Sequence, residues 1–165
     1  MLRTRILCRK FTAMRRRSIL LIPVLMGGCS RLDTLTPQLL EQAQQKWKAH
    51  EPEAYHLVIE MSGDRVETGR FEAAIRGGQV VTLRRNGLGV TLQRGQDYSM
   101  EGLFQMLKQE LGLAEKPAML GAPPGYSVYP QAQFDDNTGR LLRYRRSVGG
   151  TSNAIDVNVV DFGEN

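Results

Sequence analysis

The chain has 165 residues, with 22 Lys+Arg against 17 Asp+Glu and a formal charge of +5. The excess is local: residues 1–28 hold seven of the cations and no acid, which leaves residues 29–165 with 15 against 17, a net charge of −2. A balanced body of this kind removes the case for a nucleic-acid binder, and its two cysteines exclude a disulfide scaffold.

The N-terminal order is specific. Arg15-Arg16-Arg17 precedes a short apolar run, Ser18 to Met26, which ends at Gly27-Gly28-Cys29. A membrane-spanning helix needs roughly 20 apolar residues, and Pro23 further opposes a long buried helix. A secretory signal needs an apolar region of only about 7 to 15 residues after a basic start. The segment therefore reads as a signal over 1–28, with Met14 as an alternative start. The 137 residues from Cys29 onward suit one domain with a real core. Cys8 leaves with the signal, so no disulfide is expected in what remains.

Downstream, Ser30 to Leu35 reads as a tether, giving a 29–35 segment, and the domain proper occupies 36–165. Thr36-Pro37 is a helix opening, with Thr as cap and Pro where its missing N–H costs nothing. Leu39, Leu40, Ala43 and Trp47 recur at helical spacing, and Pro52 ends the element. The period then changes to two. Tyr55, Leu57, Ile59 and Met61 alternate with His56, Val58 and Glu60, as in a half-buried strand. Further strands are expected at Phe71 to Ile75, Val80 to Arg84 and Val90 to Gln93, separated by the hairpin signals Gly77-Gly78 and Asn86-Gly87. Ser99 caps a second helix with Leu103, Phe104, Leu107 and Leu111 on its apolar face and Gly112 as a stop; Gly102 inside it weakens the helix slightly. Three more strands follow, Tyr126 to Phe134, Leu141 to Ser147 and Ala154 to Phe162. The expected fold is a single α+β domain, a curved antiparallel sheet of about six to seven strands with two helices.

Two resemblances add to this reading. Met26-Gly27-Gly28-Cys29 resembles a bacterial lipobox, with Met where Leu is commoner. This implies a diacylglyceryl group on the Cys29 thiol, cleavage before it and acylation of the freed amine; two or more chains anchor stably, at about 0.8 kcal/mol per buried methylene. Ser30 in place of Asp implies sorting to the outer membrane. From Leu39 to Phe162 the chain resembles a group of small bacterial lipoprotein domains of unknown function, through Trp47 at the end of the first helix, Tyr55 opening a strand, the Leu103-Phe104 pair, and Phe134-Asp135 closed by Gly139. Members of that group often have Tyr where Phe134 stands and Pro shortly after the turn glycine, where this chain has Arg140-Leu141. Many carry a cysteine pair after the first strand, which this chain lacks. The group has no agreed activity, so the resemblance implies a location and an approximate fold.

The chemistry-bearing residues are few. His50 and His56 supply no set of three or four metal ligands, and no serine lies in a G-x-S-x-G segment. An enzyme would need two or more of His50, His56, Asp135 and Asp136 to converge in one cleft. Asp135 to Gly139 fails as a calcium loop, because its sixth and twelfth positions are Arg140 and Arg146; a tight turn explains the same residues. Trp47, Tyr126, Tyr129, Phe134 and Tyr144 are expected in the core. The best candidate patch is Arg140, Arg143, Arg145 and Arg146 on one strand, with Leu141 on the face of Arg143 and Arg145, and Leu142 and Tyr144 on the face of Arg146. Such a row suits an anionic partner, lipid headgroup phosphate or an acidic protein. No cofactor, metal or catalytic residue is expected. The sequence thus points to a non-catalytic, lipid-anchored envelope module, its partners the membrane through acylated Cys29 and an envelope protein or lipid. The alternative is a carrier of an apolar ligand such as an acyl chain in a concave sheet.

Overall fold

The computed structural model describes residues 31–64 and 67–164. Eight strands and two helices follow in chain order: β1 (Asp33–Thr34), α1 (Pro37–His50), β2 (Ala54–Gly63), β3 (Gly69–Arg76), β4 (Gln79–Arg85), β5 (Leu88–Gly89), α2 (Met100–Ala114), β6 (Val128–Phe134), β7 (Leu141–Val148) and β8 (Ala154–Glu164), with a 3-10 turn at Pro117–Leu120 between α2 and β6. Among the described residues the strands form one antiparallel sheet in the order β1-β6-β7-β8-β2-β3-β4-β5. The fold is α+β, as the sequence implies.

Both helices begin where local chemistry places them. The Thr36 hydroxyl accepts from the Leu39 N–H at 3.1 Å, Pro37 occupies the first turn, and Lys48 and His50 lie in the last. The Ser99 hydroxyl accepts from the Gly102 N–H at 3.2 Å, with Glu101 in the first turn. α2 runs past Gly112 to Ala114; a glycine costs only about 1 kcal/mol relative to alanine and does not by itself stop a helix. Gly102 has a packing role: a Cβ there would lie 2.2 Å from the Asp97 carbonyl oxygen.

The sheet has one strand more than the upper expectation, and the difference lies at its edges. Asp33 and Thr34 pair with Ala132 and Gln131, the Leu35 N–H donates to the Pro130 carbonyl at 2.9 Å, and Leu35 is buried. The last three residues of the expected tether are thus part of the fold; a two-residue strand is too short to show a period. At the other edge, the strand expected over Val90 to Gln93 is replaced by β5 at Leu88–Gly89, directly after a turn in which Asn86 and Gly87 have φ of 50° and 81°. Both central residues at positive φ match the twist of a tight hairpin.

Both helices cover the same face of the sheet. Leu40, Ala43 and Trp47 of α1 and Met100, Leu103, Phe104 and Leu107 of α2 share a core with Tyr55, Leu57, Ile59, Phe71, Ile75, Leu141, Tyr144, Ile155 and Val157. Trp47 meets Tyr55 and Phe162 edge-on at 5.5 and 6.0 Å. The Tyr55 hydroxyl accepts the Met100 N–H at 3.1 Å, tying the start of α2 to the middle of the sheet. Three bulges interrupt the alternation, where the extra residues Val81, Leu142 and Val160 face two residues across one.

Candidate functional site

The opposite face of the sheet is open and polar. Across it lie cross-strand pairs: Arg70 with Glu60 at 3.0 Å, His56 with Asp161 at 3.4 Å, and Arg143 with Asp156 at 2.6 Å; Arg70 also meets Glu72 of its own strand at 3.5 Å. Charges of opposite sign on neighbouring strands stabilise a solvated sheet face modestly.

The arginine row is divided between three environments. Arg146 points into the molecule and is 4% exposed. One of its Nη atoms donates to Glu110 Oε2 at 2.8 Å and the other to Asn153 Oδ1 at 2.8 Å, so it pins β7 to α2 and cannot meet an external anion. Arg140 lies 4.6 Å over the Phe162 ring at the mouth of the β6–β7 turn. Arg143 and Arg145 alone face outward from the strand. The bulge at Leu142 explains the altered facing: it adds one residue between Leu141 and Arg143, which places Leu141 with Tyr144 and Arg146 in the core, not beside Arg143 and Arg145. The four-residue patch is thereby corrected to two.

Those two residues carry the same charge but differ in how it is compensated. Arg143 is held by Asp156 through Nε at 3.1 Å and Nη2 at 2.6 Å, and this bidentate bond, with the charge of Asp156, raises its pKa. Arg145 is exposed, stands opposite Gln131 on β6 and Asp156 on β8, and has no ion-pair partner among the described residues. Ser62, Gly63, Arg143, Arg145 and Asp156 border a shallow depression of about 290 Å³. One guanidinium without an ion-pair partner among the described residues, beside a neutralised pair, offers a weak, single-point contact for a carboxylate or phosphate, not a clamp.

The remaining candidates are dispersed. His50 Nδ1 sits 2.8 Å from the Lys46 carbonyl at the end of α1, while His56 pairs with Asp161 on the open face. Asp135 closes its own turn: Oδ1 accepts from the Thr138 N–H at 2.8 Å, the Thr138 hydroxyl at 2.9 Å and the Asn137 N–H at 3.1 Å. The Thr138 N–H is the main cause of its lowered pKa, and burial opposes it. Lys46 donates to the Asp136 carbonyl at 3.0 Å, which fixes this turn against α1. Among the described residues no group of three or more His, Cys, Asp or Glu side chains could hold a metal ion.

Of the five aromatic residues assigned to the core, Trp47 and Tyr144 are fully buried and Phe134 packs partly buried against the core, but Tyr126 and Tyr129 are 53% and 55% exposed. Tyr129 follows the outward register of β6, and Tyr126 precedes the strand beside Gly149 and Gly150. Glu110, like Gln44, is a buried polar residue that sequence reading passed over. Its signal was available: it lies seven residues after Leu103 and three after Leu107, on the apolar face of α2. Cys29 lies outside the described residues. No helix among those described is long and apolar enough to cross a membrane. Compared with known protein families and with curated proteins, the chain has no match.

Proposed function

We propose that this chain is a lipid-anchored envelope protein: residues 1–28 direct export and are removed, Cys29 carries the lipid, and the folded domain serves as a non-catalytic binding module, held at the outer membrane and facing the periplasm. The junction between the two parts carries this reading. The basic and apolar segments end at Gly27-Gly28-Cys29, and the first strand begins only four residues later, at Asp33. Fully extended chain spans at most about 3.6 Å per residue, so the tether holds β1 within about 14 Å of the cysteine. Such a domain would lie against the bilayer surface, where its partners are envelope proteins or lipids.

A binding module fits the arrangement of the two sheet faces. The inner face is filled by Trp47, Phe104, Leu107 and their neighbours from the chain's own helices, and the outer face offers polar groups on a rigid sheet. That filling favours the interaction module over a carrier of acyl chains, which needs empty apolar volume between helices and sheet.

The test is the intact mass and membrane partition of the protein made in a double-membrane bacterium, beside Cys29→Ser. The expected product has lost residues 1–28, gained the mass of a diacylglyceryl group and an acyl chain, and sediments with membranes, while the variant does not. An unmodified mass in the soluble fraction for the unaltered protein would overturn the anchor.

A further inference from the structure

We infer that the free edge formed by β4 and β5 is a docking site for an extended, acidic segment of another polypeptide. The inference rests on reading the domain as a binding module, but not on the anchor. β5 covers only Arg84 and Arg85, and a last hydrogen bond joins the Val90 N–H to the Leu83 carbonyl at 3.0 Å. Beyond it no strand among the described residues lies outside Gln79 to Thr82. A strand edge of this kind is a template for one more strand.

The edge is apolar as well as open. The bulge turns Val81 outward, leaving it 59% exposed, and Leu88 is 73% exposed. Val81 and Val90 line a cleft of about 740 Å³ between Val81 to Arg84 on one side and Gly89 to Leu92 on the other, and Leu88 stands beside it on β5. Natural edges are commonly blunted by lysine, proline or an inward-pointing charge. Leu88 and Val90 here carry none of these.

Charge selects the occupant. From Ala73 to Gly95 the chain contains Arg76, Arg84, Arg85 and Arg94 and no Asp or Glu. Of the acids flanking this stretch, Glu72 lies opposite Arg84 and pairs with Arg70, Glu67 accepts from Gln96 and from the Tyr98 hydroxyl, and Asp97 accepts from the Ser99 N–H at 2.8 Å. A second copy of this chain would bring one arginine-bearing edge against another, which is repulsive. The described chain begins at Arg31, two residues before β1 at the opposite edge of the sheet. A foreign strand with alternating apolar and acidic side chains satisfies the backbone, the cleft and the charge together.

The experiment uses a fluorescein-labelled ten-residue peptide of alternating valine and glutamate, with a valine–lysine peptide as control. Binding to the purified full-length chain in nonionic detergent is followed by anisotropy. The expected result is saturable binding of the glutamate peptide that weakens with salt, falls at least tenfold in Leu88→Asp, and shifts toward the lysine peptide in the Arg76→Glu, Arg94→Glu double variant. All three substituted residues are exposed, and circular dichroism checks that the variants fold as the parent does. No saturable binding, equal binding of both peptides, or indifference to these substitutions would overturn the inference. So would sedimentation showing that the edge pairs two copies of the chain. The readout does not depend on acylation, so it fails or succeeds separately from the anchor.

Discussion

Arg146 and Glu110 form an ion pair at 2.8 Å with both side chains almost wholly withdrawn from water, at 5% and 10% exposure. The pair joins β7 to α2, and the same guanidinium reaches Asn153, whose amide donates in turn to the Leu120 carbonyl at 3.2 Å. One polar cluster therefore fixes a helix, a strand, the β7–β8 loop and the 3-10 turn. Among the described residues Arg146 Nε has no hydrogen-bond partner. A buried pair left partly unsatisfied adds little net stability, but breaking it from one side leaves a bare charge in the core. Glu110→Leu alone should cost about 3–5 kcal/mol. Glu110→Leu combined with Arg146→Met should cost less than either single change. Urea unfolding of the four proteins in a double-mutant cycle measures this, and additive losses would refute it.

Tyr55 connects the sheet to the second helix through a single accepted bond. Tyr55→Phe leaves the buried Met100 N–H without its acceptor, and a loss of about 1–3 kcal/mol is expected. A pH signature accompanies it. Burial pushes the Tyr55 phenol up to about 12, the bond from the Met100 N–H pulling the other way, whereas the unperturbed value is 10.0. Raised in the folded state, the group contributes fully below pH 10, and its contribution is lost as the pH rises towards 12. Stability of the parent protein should fall across that window, and the Phe variant should fall less steeply. Parallel slopes in denaturant titrations would show that Tyr55 is not the responsible group.

Gly139 separates conformational strain from steric conflict. Its φ is +75°, and a Cβ would lie 2.2 Å from the Ala43 carbonyl oxygen and 2.9 Å from the Trp47 nitrogen. Gly77 has a φ of +56° with nothing within 4 Å. Alanine at Gly77 meets only the left-handed penalty of about 1–2 kcal/mol. Alanine at Gly139 must also push the β6–β7 turn away from α1, so Gly139→Ala should lose clearly more than Gly77→Ala. Chemical denaturation compares them, and equal losses would mean that the turn yields without effort.

What the sequence made legible was local. Thr36-Pro37 and Ser99 mark helix starts because capping involves residues three apart, and Tyr55 to Met61 declares a strand because one face is buried. What it concealed depended on pairing. Tyr144 and Arg146 were rightly separated from Arg143 and Arg145, but which set faced inward is decided by α2, which brings Glu110 to Arg146. The displacement of Leu141 required the bulge at Leu142, a property of two strands together. Gly102 looked like a weakness in α2 because the approach of Asp97 has no local trace. The edge strands β1 and β5, of two residues each, carry no period at all.

The two ends of the sheet order place the proposed anchor and the proposed docking edge on opposite sides of the domain. β1 enters antiparallel to β6 with Asp33 opposite Ala132, so Leu32 and Arg31 lie on the side of Phe134 and the β6–β7 turn. That turn packs against α1 at Trp47, the only tryptophan in the chain. A short tether on an acylated Cys29 should therefore hold the tryptophan end of the domain towards the bilayer and leave β4 and β5 accessible. Trp47 fluorescence in liposomes with a nitroxide-labelled headgroup reports this arrangement. The acylated protein should be quenched more than a variant with 20 Gly/Ser residues inserted between Ser30 and Arg31, because a flexible linker lets the domain leave the surface. Equal quenching in both would mean that the domain adheres to lipid through its own surface and that tether length sets nothing. Negligible quenching in both would place Trp47 away from the membrane and reverse the orientation.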